Sequence, residues 1–194
     1  MKDSFKIFDF YNTPVYIKYW FLILILFVPV TSFVVIFVSV LIHELAHSYV
    51  AKRLGCGVSQ IYLSLLNGAA DIDTSKSSHK EIIYIVLAGP LSNLILYLIM
   101  LPFGSIDNAL IDEMIRINLI LFIFNLLPIY PLDGGRISKA IFSLVLGNKR
   151  GKLYNGIFSM IVCILSIIAC VIFSMYILAV IAGFLLVASY YEIK

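Results

Sequence analysis

Long apolar runs separated by short polar breaks set the rhythm of this chain. Six of them reach or approach the ~20 residues that a helix needs to cross ~30 Å of hydrocarbon: about residues 15–31, 33–54, 80–102, 110–128, and two within 153–191. The final stretch is too long for one crossing, so a tight turn is expected near Phe173–Tyr176. Two other segments have a different pattern. Residues 5–18 place apolar residues around an Asn-Thr-Pro turn and read as an interfacial hairpin or short amphipathic segment. Residues 56–73 mix β-formers with a glycine-containing turn, which predicts a strand pair or re-entrant loop beside the membrane surface. The expected fold is an all-α polytopic membrane protein of about six transmembrane helices, with a short membrane-associated β-hairpin or re-entrant segment. No repeat, low-complexity tract or second domain interrupts residues 1–194.

Composition excludes a soluble domain. The chain is 62% hydrophobic and 13% charged, against about 45–50% apolar and about 25% charged in globular proteins. A net charge of +3 gives no footprint for a nucleic-acid partner. The distribution of that charge says more. With the N-terminus cytoplasmic and six spans, thirteen of the fourteen basic residues fall on the cytoplasmic side, as the positive-inside bias requires. Both termini are then cytoplasmic. The exception, Arg116, follows Asp112 by four residues and is expected to pair with it along a helix. The three cysteines, Cys56, Cys163 and Cys170, have no paired metal-ligand spacing and predict no disulfide framework. The first apolar run starts late and no A-x-A site follows it, so the N-terminus does not read as a cleavable signal.

The second apolar run contains what a lipid-facing helix would exclude. In VSVLIHELAHSYVAKRLG, residues 38–55, two histidines and a glutamate share one turn. Residues four apart lie on one helical face, so His43 and His47 can present two imidazole nitrogens to one metal ion. Glu44 lies beside them, placed to take a proton from bound water. This H-E-x-x-H pattern combines two zinc ligands with a general base. The plainer reading makes both histidines satisfied polar core residues, but three such groups in one membrane turn are costly without a metal.

A catalytic zinc needs a third protein ligand and an open position. His79 lies in the polar stretch DTSKSSHK. Asp107, Asp112 and Glu113 fall on the far side; Asp71, Asp73 and Glu81 flank a loop; Glu192 is terminal. Asp133 remains, in NLLPIYPLDGGRI, just past the fourth span and at the depth expected of the histidines. Pro128 and Pro131 break the helix there, and Gly134-Gly135 permits a sharp turn and close packing. Asp133 also suits a helix N-cap.

With HELAH in one membrane helix and NLLPIYPLDGG on a later one, the chain resembles the site-2 protease family (M50) of intramembrane zinc metalloproteases. Asn125, Pro128, Asp133 and Gly134 fill that family's N-x-x-P-x-x-x-x-D-G motif without a gap, and Gly89 and Asn93 match its G-x-x-x-N feature. The resemblance implies a single transmembrane peptidase domain over 1–194 with its catalytic core at about 33–147. It implies one Zn2+ ion held by His43, His47 and Asp133, with Glu44 as the base and Asn125 holding substrate or stabilising the oxyanion. The implied reaction is regulated intramembrane proteolysis of single-span or membrane-associated proteins in a lipid bilayer. The family's P-x-G-G loop element is replaced by LLNGA, Leu65 to Ala69. No PDZ or CBS domain is expected. The compact form most resembles the sporulation-type branch (stage IV sporulation FB-like), whose members cleave a membrane-bound sigma-factor precursor.

Substrate helices must be unwound before cleavage, and an edge strand can hold the extended form by main-chain pairing. Val58 to Leu66 is the expected edge. Asn118 lies seven residues before Asn125 on the same helical face; ordinary polar packing between helices accounts for it, and is the plainer account of Ser92 and Asn93. Three other classes compete. A zincin cutting outside the bilayer needs a later His or Glu ligand on a helix, and none is suitably placed. A zinc transporter needs polar groups along a whole path, whereas these cluster at one depth. An inactive scaffold has no need of the complete set His43, Glu44, His47 and Asp133.

Overall fold

The computed structural model describes residues 4–63, 69–104 and 108–194. They fall into two compact units, Met1–Phe124 and Asn125–Lys194. The first unit begins with a hairpin, β1 (Ser4–Phe10) and β2 (Thr13–Lys18). Its turn residues Tyr11 and Asn12 both have positive φ, 46° and 60°, as the right-handed twist of a two-residue hairpin demands. Alternation in β2 buries Thr13, Val15 and Ile17 on one face. Beyond a single helical turn α1 (Tyr19–Leu22) and a 3-10 turn (Ile23–Leu26), α2 runs from Val30 to Arg53. Strands β3 (Gly57–Leu63) and β4 (Ala69–Asp73) follow.

These strands form one sheet in the order β1-β2-β3-β4. The two hairpins are antiparallel, and β2 joins β3 in parallel through Val15↔Ile61 and Ile17↔Leu63. A parallel join needs a long crossover, here supplied by α1, the 3-10 turn and α2. Val15, Ile17, Phe21, Val40, Ile61 and Leu63 make the buried core, flanked by Phe33, Phe37, Leu41 and Leu45 of α2.

Two expectations change here. Residues 15–31 are not a helical span: they are strand, one helical turn and a 3-10 turn. The segment still runs beside α2 and antiparallel to it. Tyr11 lies at the helix's C-terminal end, where its carbonyl accepts from Lys52 and its ring meets Tyr49. Phe21 meets Phe33 and Phe37 nearer the helix's start. Pairing of β2 with β1 and β3 satisfies the backbone that a lone helix would otherwise have to satisfy internally. Second, the 56–73 strand pair forms, but β3 is an interior strand, paired with β2 on one side and β4 on the other. It is not the open edge expected of Val58–Leu66, whose last three residues lie outside those described. The open edges are β1 and β4.

Helix α3 (His79–Met100) starts on a capping box: Ser78 Oγ accepts from the Glu81 amide (3.3 Å) and the Ser78 amide donates to Glu81 Oε2 (2.7 Å). A 3-10 turn (Leu101–Phe103) follows, and α4 spans Ala109–Asn125. On α4, Arg116 pairs with Glu113 rather than with the expected Asp112, three residues back instead of four.

The second unit contains α5 (Asp133–Leu146), α6 (Asn148–Ile172) and α7 (Tyr176–Ile193). Gly147, at φ 81°, separates α5 from α6. A Cβ on Gly151 would lie 2.5 Å from Ser143, so α5 and α6 meet backbone to backbone. The turn between α6 and α7 falls at Phe173–Met175, where the sequence placed it.

Among the described residues, four helices are long and apolar enough to cross a membrane: Val30–Arg53, His79–Phe103, Asn148–Ile172 and Tyr176–Ile193. Helix α4, with 17 residues, is shorter. The expected count of six is not confirmed by these four, and the chain is mostly helical, with a small four-stranded sheet where a short membrane-associated hairpin or re-entrant segment was expected.

Candidate metal centre

His43 and His47 are buried one turn apart on α2, their rings near perpendicular (84°) and their Nε2 atoms 3.0 Å apart. Helix α3 supplies the surface they rest on. His47 Nδ1 donates to the Ile85 carbonyl (2.8 Å). A carbonyl only accepts, so Nδ1 carries the proton and the ring turns Nε2 toward His43. One turn on, Gly89 opens the space in front of the pair. A Cβ there would lie 2.2 Å from His47 Nε2 and 2.6 Å from His43 Nε2. One turn further, Asn93 Oδ1 sits 2.6 Å from His43 Nδ1. Ile85, Gly89 and Asn93, at four-residue spacing, thus place one α3 face against the two imidazoles.

Gly89→Ala separates metal binding from folding. Alanine favours a helix over glycine by about 1 kcal/mol, so helicity is retained. The added methyl occupies the space between the nitrogens, and the variant is expected to purify with little or no zinc, measured as metal per chain by plasma mass spectrometry.

Glu44 lies beside the pair, 3% exposed, and its Oε2 has no hydrogen-bond partner among the described residues. A buried carboxylate oxygen left unpaired is costly. Beside it, the two Nε2 atoms face one another at 3.0 Å. Tetrahedral zinc, with Zn–N of about 2.0–2.1 Å, puts two nitrogens about 3.3 Å apart. The side chains present fit that ion.

Asp133 lies in the second unit, as the first residue of α5; the cap position falls on Leu132, so Asp133 is not the N-cap. Its placement follows from the loop before it. A Cβ on Gly134 would lie 2.2 Å from the Leu126 carbonyl oxygen, and one on Gly135 2.4 Å from Tyr130 N. The 126–132 loop therefore folds directly onto the first turn of α5, which only glycines allow. Two serines hold the loop's middle. The Tyr130 amide donates to Ser159 Oγ (3.2 Å) from α6, and Ser189 Oγ from α7 donates to the Tyr130 carbonyl (2.9 Å).

His43, His47 and Asp133 are a buried group whose ligating atoms all lie within 4.8 Å of one another, a donor set compatible with one zinc ion. The acidic residues set aside in the sequence are engaged elsewhere: Asp71 with Ser59, Asp73 with Ser75, Glu81 at its cap, Glu113 with Arg116, and Glu192 with Lys139. The Ser75 hydroxyl and amide hold the Asp73 carboxyl below its ordinary range. His79 opens α3, Asp112 is exposed near the start of α4, and Asp107 lies outside the described residues. Asn125 is the last residue of α4.

Sequence reasoning passed over Ser39, Ser159 and Ser189 and read Asn118 as ordinary helix packing; all four are buried. Ser39 had a readable signal, since it precedes His43 by one helical turn. Asn118 had a weaker one, its shared face with Asn125. The two serines had none beyond being polar in apolar runs.

Known proteins similar to this chain include zinc metalloproteases. The chain is 38% identical over 117 residues to a zinc metalloprotease of Methanocaldococcus jannaschii, covering 57% of this chain and 34% of that protein. It is 31% identical over 130 residues to stage IV sporulation protein FB of Bacillus subtilis, covering 65% of this chain and 45% of that one. The chain thus spans about a third to a half of the length of these relatives. Among solved structures it resembles a site-2 protease from Methanocaldococcus jannaschii, with a TM-score of 0.76 and 26% identity over 98% of this chain and 95% of that one. The model of peptidase family M50 matches residues 31–112 and 104–169, more than half of the chain, and these ranges include His43, His47 and Asp133. With four membrane-length apolar helices and a buried His-His-Asp donor set, this integral membrane protein belongs to peptidase family M50.

Proposed function

We propose that the chain is a zinc-dependent intramembrane endopeptidase that cleaves membrane-embedded or membrane-associated proteins. The observation that carries this reading is the pair of facing Nε2 atoms beside a buried glutamate oxygen with no hydrogen-bond partner among the described residues. His43, His47 and Asp133 would hold the ion. When bound, zinc supplies acidification of water and polarisation of a carbonyl. Glu44 accepts the proton of the attacking water on its free oxygen and then returns it to the departing amine. The Asn125 side-chain amide donates to the oxygen that becomes negative on the scissile carbonyl. Asn125→Ala is expected to lower kcat by about 10²–10³ with zinc content unchanged; unaltered kcat would remove Asn125 from this role.

The substrate is an unwound transmembrane segment, and a sigma-factor precursor is one candidate on the sporulation-type resemblance. With β3 enclosed, β4 is the edge we assign to capture. Cysteine at Ile72, in a chain whose own cysteines are replaced by serine, is expected to crosslink to every second residue of a trapped substrate. No crosslinks, or crosslinks without that period, would remove β4 from substrate binding. We place the site toward the cytoplasm because Lys52 and Arg53 end α2 within two turns of His47.

The direct test is cleavage of a single-span substrate by the purified chain in bilayers, with and without a chelator and zinc readdition. Chelator-sensitive, zinc-restored cleavage supports the peptidase; zinc flux into vesicles without cleavage would make it a transporter.

A further inference from the structure

We propose that Asn93 is a positioning residue that fixes His43 in its metal-binding tautomer, and that Asn118 and Ser39 set the direction in which Asn93 points. This rests on the zinc reading above and assigns what holds the ligand.

Either face of an asparagine amide can be oxygen or nitrogen, so a contact with histidine does not by itself say which ring nitrogen carries the proton. Here the direction is forced from outside. Asn118 Nδ2 lies 2.9 Å from the Met114 carbonyl oxygen one turn earlier on α4. That oxygen only accepts, so the Asn118 nitrogen donates and its oxygen points the other way. The oxygen then accepts from Asn93 Nδ2 at 2.9 Å. Asn93 accordingly turns Oδ1 toward His43 Nδ1, 2.6 Å away. An amide oxygen only accepts, so Nδ1 of His43 carries the proton and Nε2 keeps its lone pair for the ion. Ser39 Oγ, on α2 one turn before His43, accepts a second donation from Asn118 (3.0 Å), and the Ser39 carbonyl lies 3.4 Å from Asn93 Nδ2. Reversing either amide would set donor against donor or acceptor against acceptor.

Asn93, Asn118 and Ser39 are buried, where water cannot replace a lost partner. His47 reaches the same tautomer through a backbone carbonyl, which no side-chain substitution removes. His43 relies on side chains from α3, α4 and α2. The two asparagines thus tie the metal pair on α2 to α3 and α4 through one polarised chain.

The test compares wild type, Asn93→Leu, Asn118→Leu and the double variant as full chains in bilayer discs. Zinc affinity is read by competition with a chromophoric chelator, and the 15N-labelled histidine side chains by NMR. With three histidines in the chain, the spectrum is simple. Wild type is expected to show a His43 Nδ1–H protected from exchange with water. Asn93→Leu is expected to lose that protection and weaken zinc binding by about 10–100-fold. Asn118→Leu is expected to weaken it a few-fold, and to add nothing in the Asn93→Leu background. Asn93→Asp keeps an oxygen acceptor at the imidazole but sets a second oxygen against Asn118 Oδ1; it is expected to recover the Nδ1–H protection and part of the affinity, and serves if the leucine variant does not fold. Wild-type affinity and protection in Asn93→Leu, strictly additive losses in the double variant, or no recovery with Asn93→Asp would overturn the proposal. Failure of wild type to bind zinc would instead remove the metalloprotease reading itself.

Discussion

Glu44→Gln is expected to eliminate cleavage of a single-span substrate while the chain still carries one zinc ion. The two side chains have nearly the same shape, so packing at this buried position changes little. What changes is the proton inventory. A carboxylate accepts a proton; an amide nitrogen at the same position does not. Oε2 of Glu44 is buried and free of hydrogen bonds among the described residues, so its acceptor capacity is not spent on structure. General-base contributions of this kind are worth about 10²–10⁴ in rate. Zinc is expected to be retained because the proposed donor set is His43, His47 and Asp133, without Glu44. Normal turnover by the variant would refute the assignment of the base. Loss of zinc together with activity would move Glu44 from base to ligand.

Removal of Asp133 has the opposite signature. Asp133→Ala leaves two imidazoles, one fewer protein ligand than a catalytic zinc site uses. Changes to groups that merely support a ligand weaken metal binding by about 10–100-fold, and deletion of a ligand is expected to exceed that. Metal per chain after dialysis should fall to background, with cleavage falling in proportion. The folded state survives on other contacts: the 126–132 loop stays tied to Ser159 and Ser189 through Tyr130, and α5 stays packed on α6 at Gly151. Helical content measured by circular dichroism is therefore expected to match wild type. An Asp133→Ala chain that retains its full zinc content would remove Asp133 from the ligand set. Together the two variants separate holding the ion from using it.

The candidate site was more legible than the fold, for a physical reason. His43 and His47 meet because residues four apart on a helix always meet, a relation that needs no knowledge of the rest of the chain. Asp133 emerged because few other acidic residues suited a buried site, and because Pro128, Pro131, Gly134 and Gly135 mark a break in the helix beside it. The sheet depended on distant partners. Residues 15–31 have the composition of a membrane span, and only the pairing of Val15 and Ile17 with Ile61 and Leu63, 46 residues later, makes part of them a strand. The same pairing encloses β3 and leaves β4 as an edge, which no local pattern reveals. Asn118 was read as ordinary helix packing because its role is fixed by the direction of an amide, and that direction is set by the Met114 carbonyl. Arg116 had acidic neighbours at both three and four residues back, and spacing alone did not choose between them.

The most direct test of the metal centre is a crystal structure of the zinc-loaded chain with anomalous data collected on both sides of the zinc edge. A single anomalous peak bonded to Nε2 of His43, Nε2 of His47 and a carboxylate oxygen of Asp133 is the predicted result. A peak elsewhere, or one ligated through Nδ1 of either histidine or without Asp133, would contradict the account.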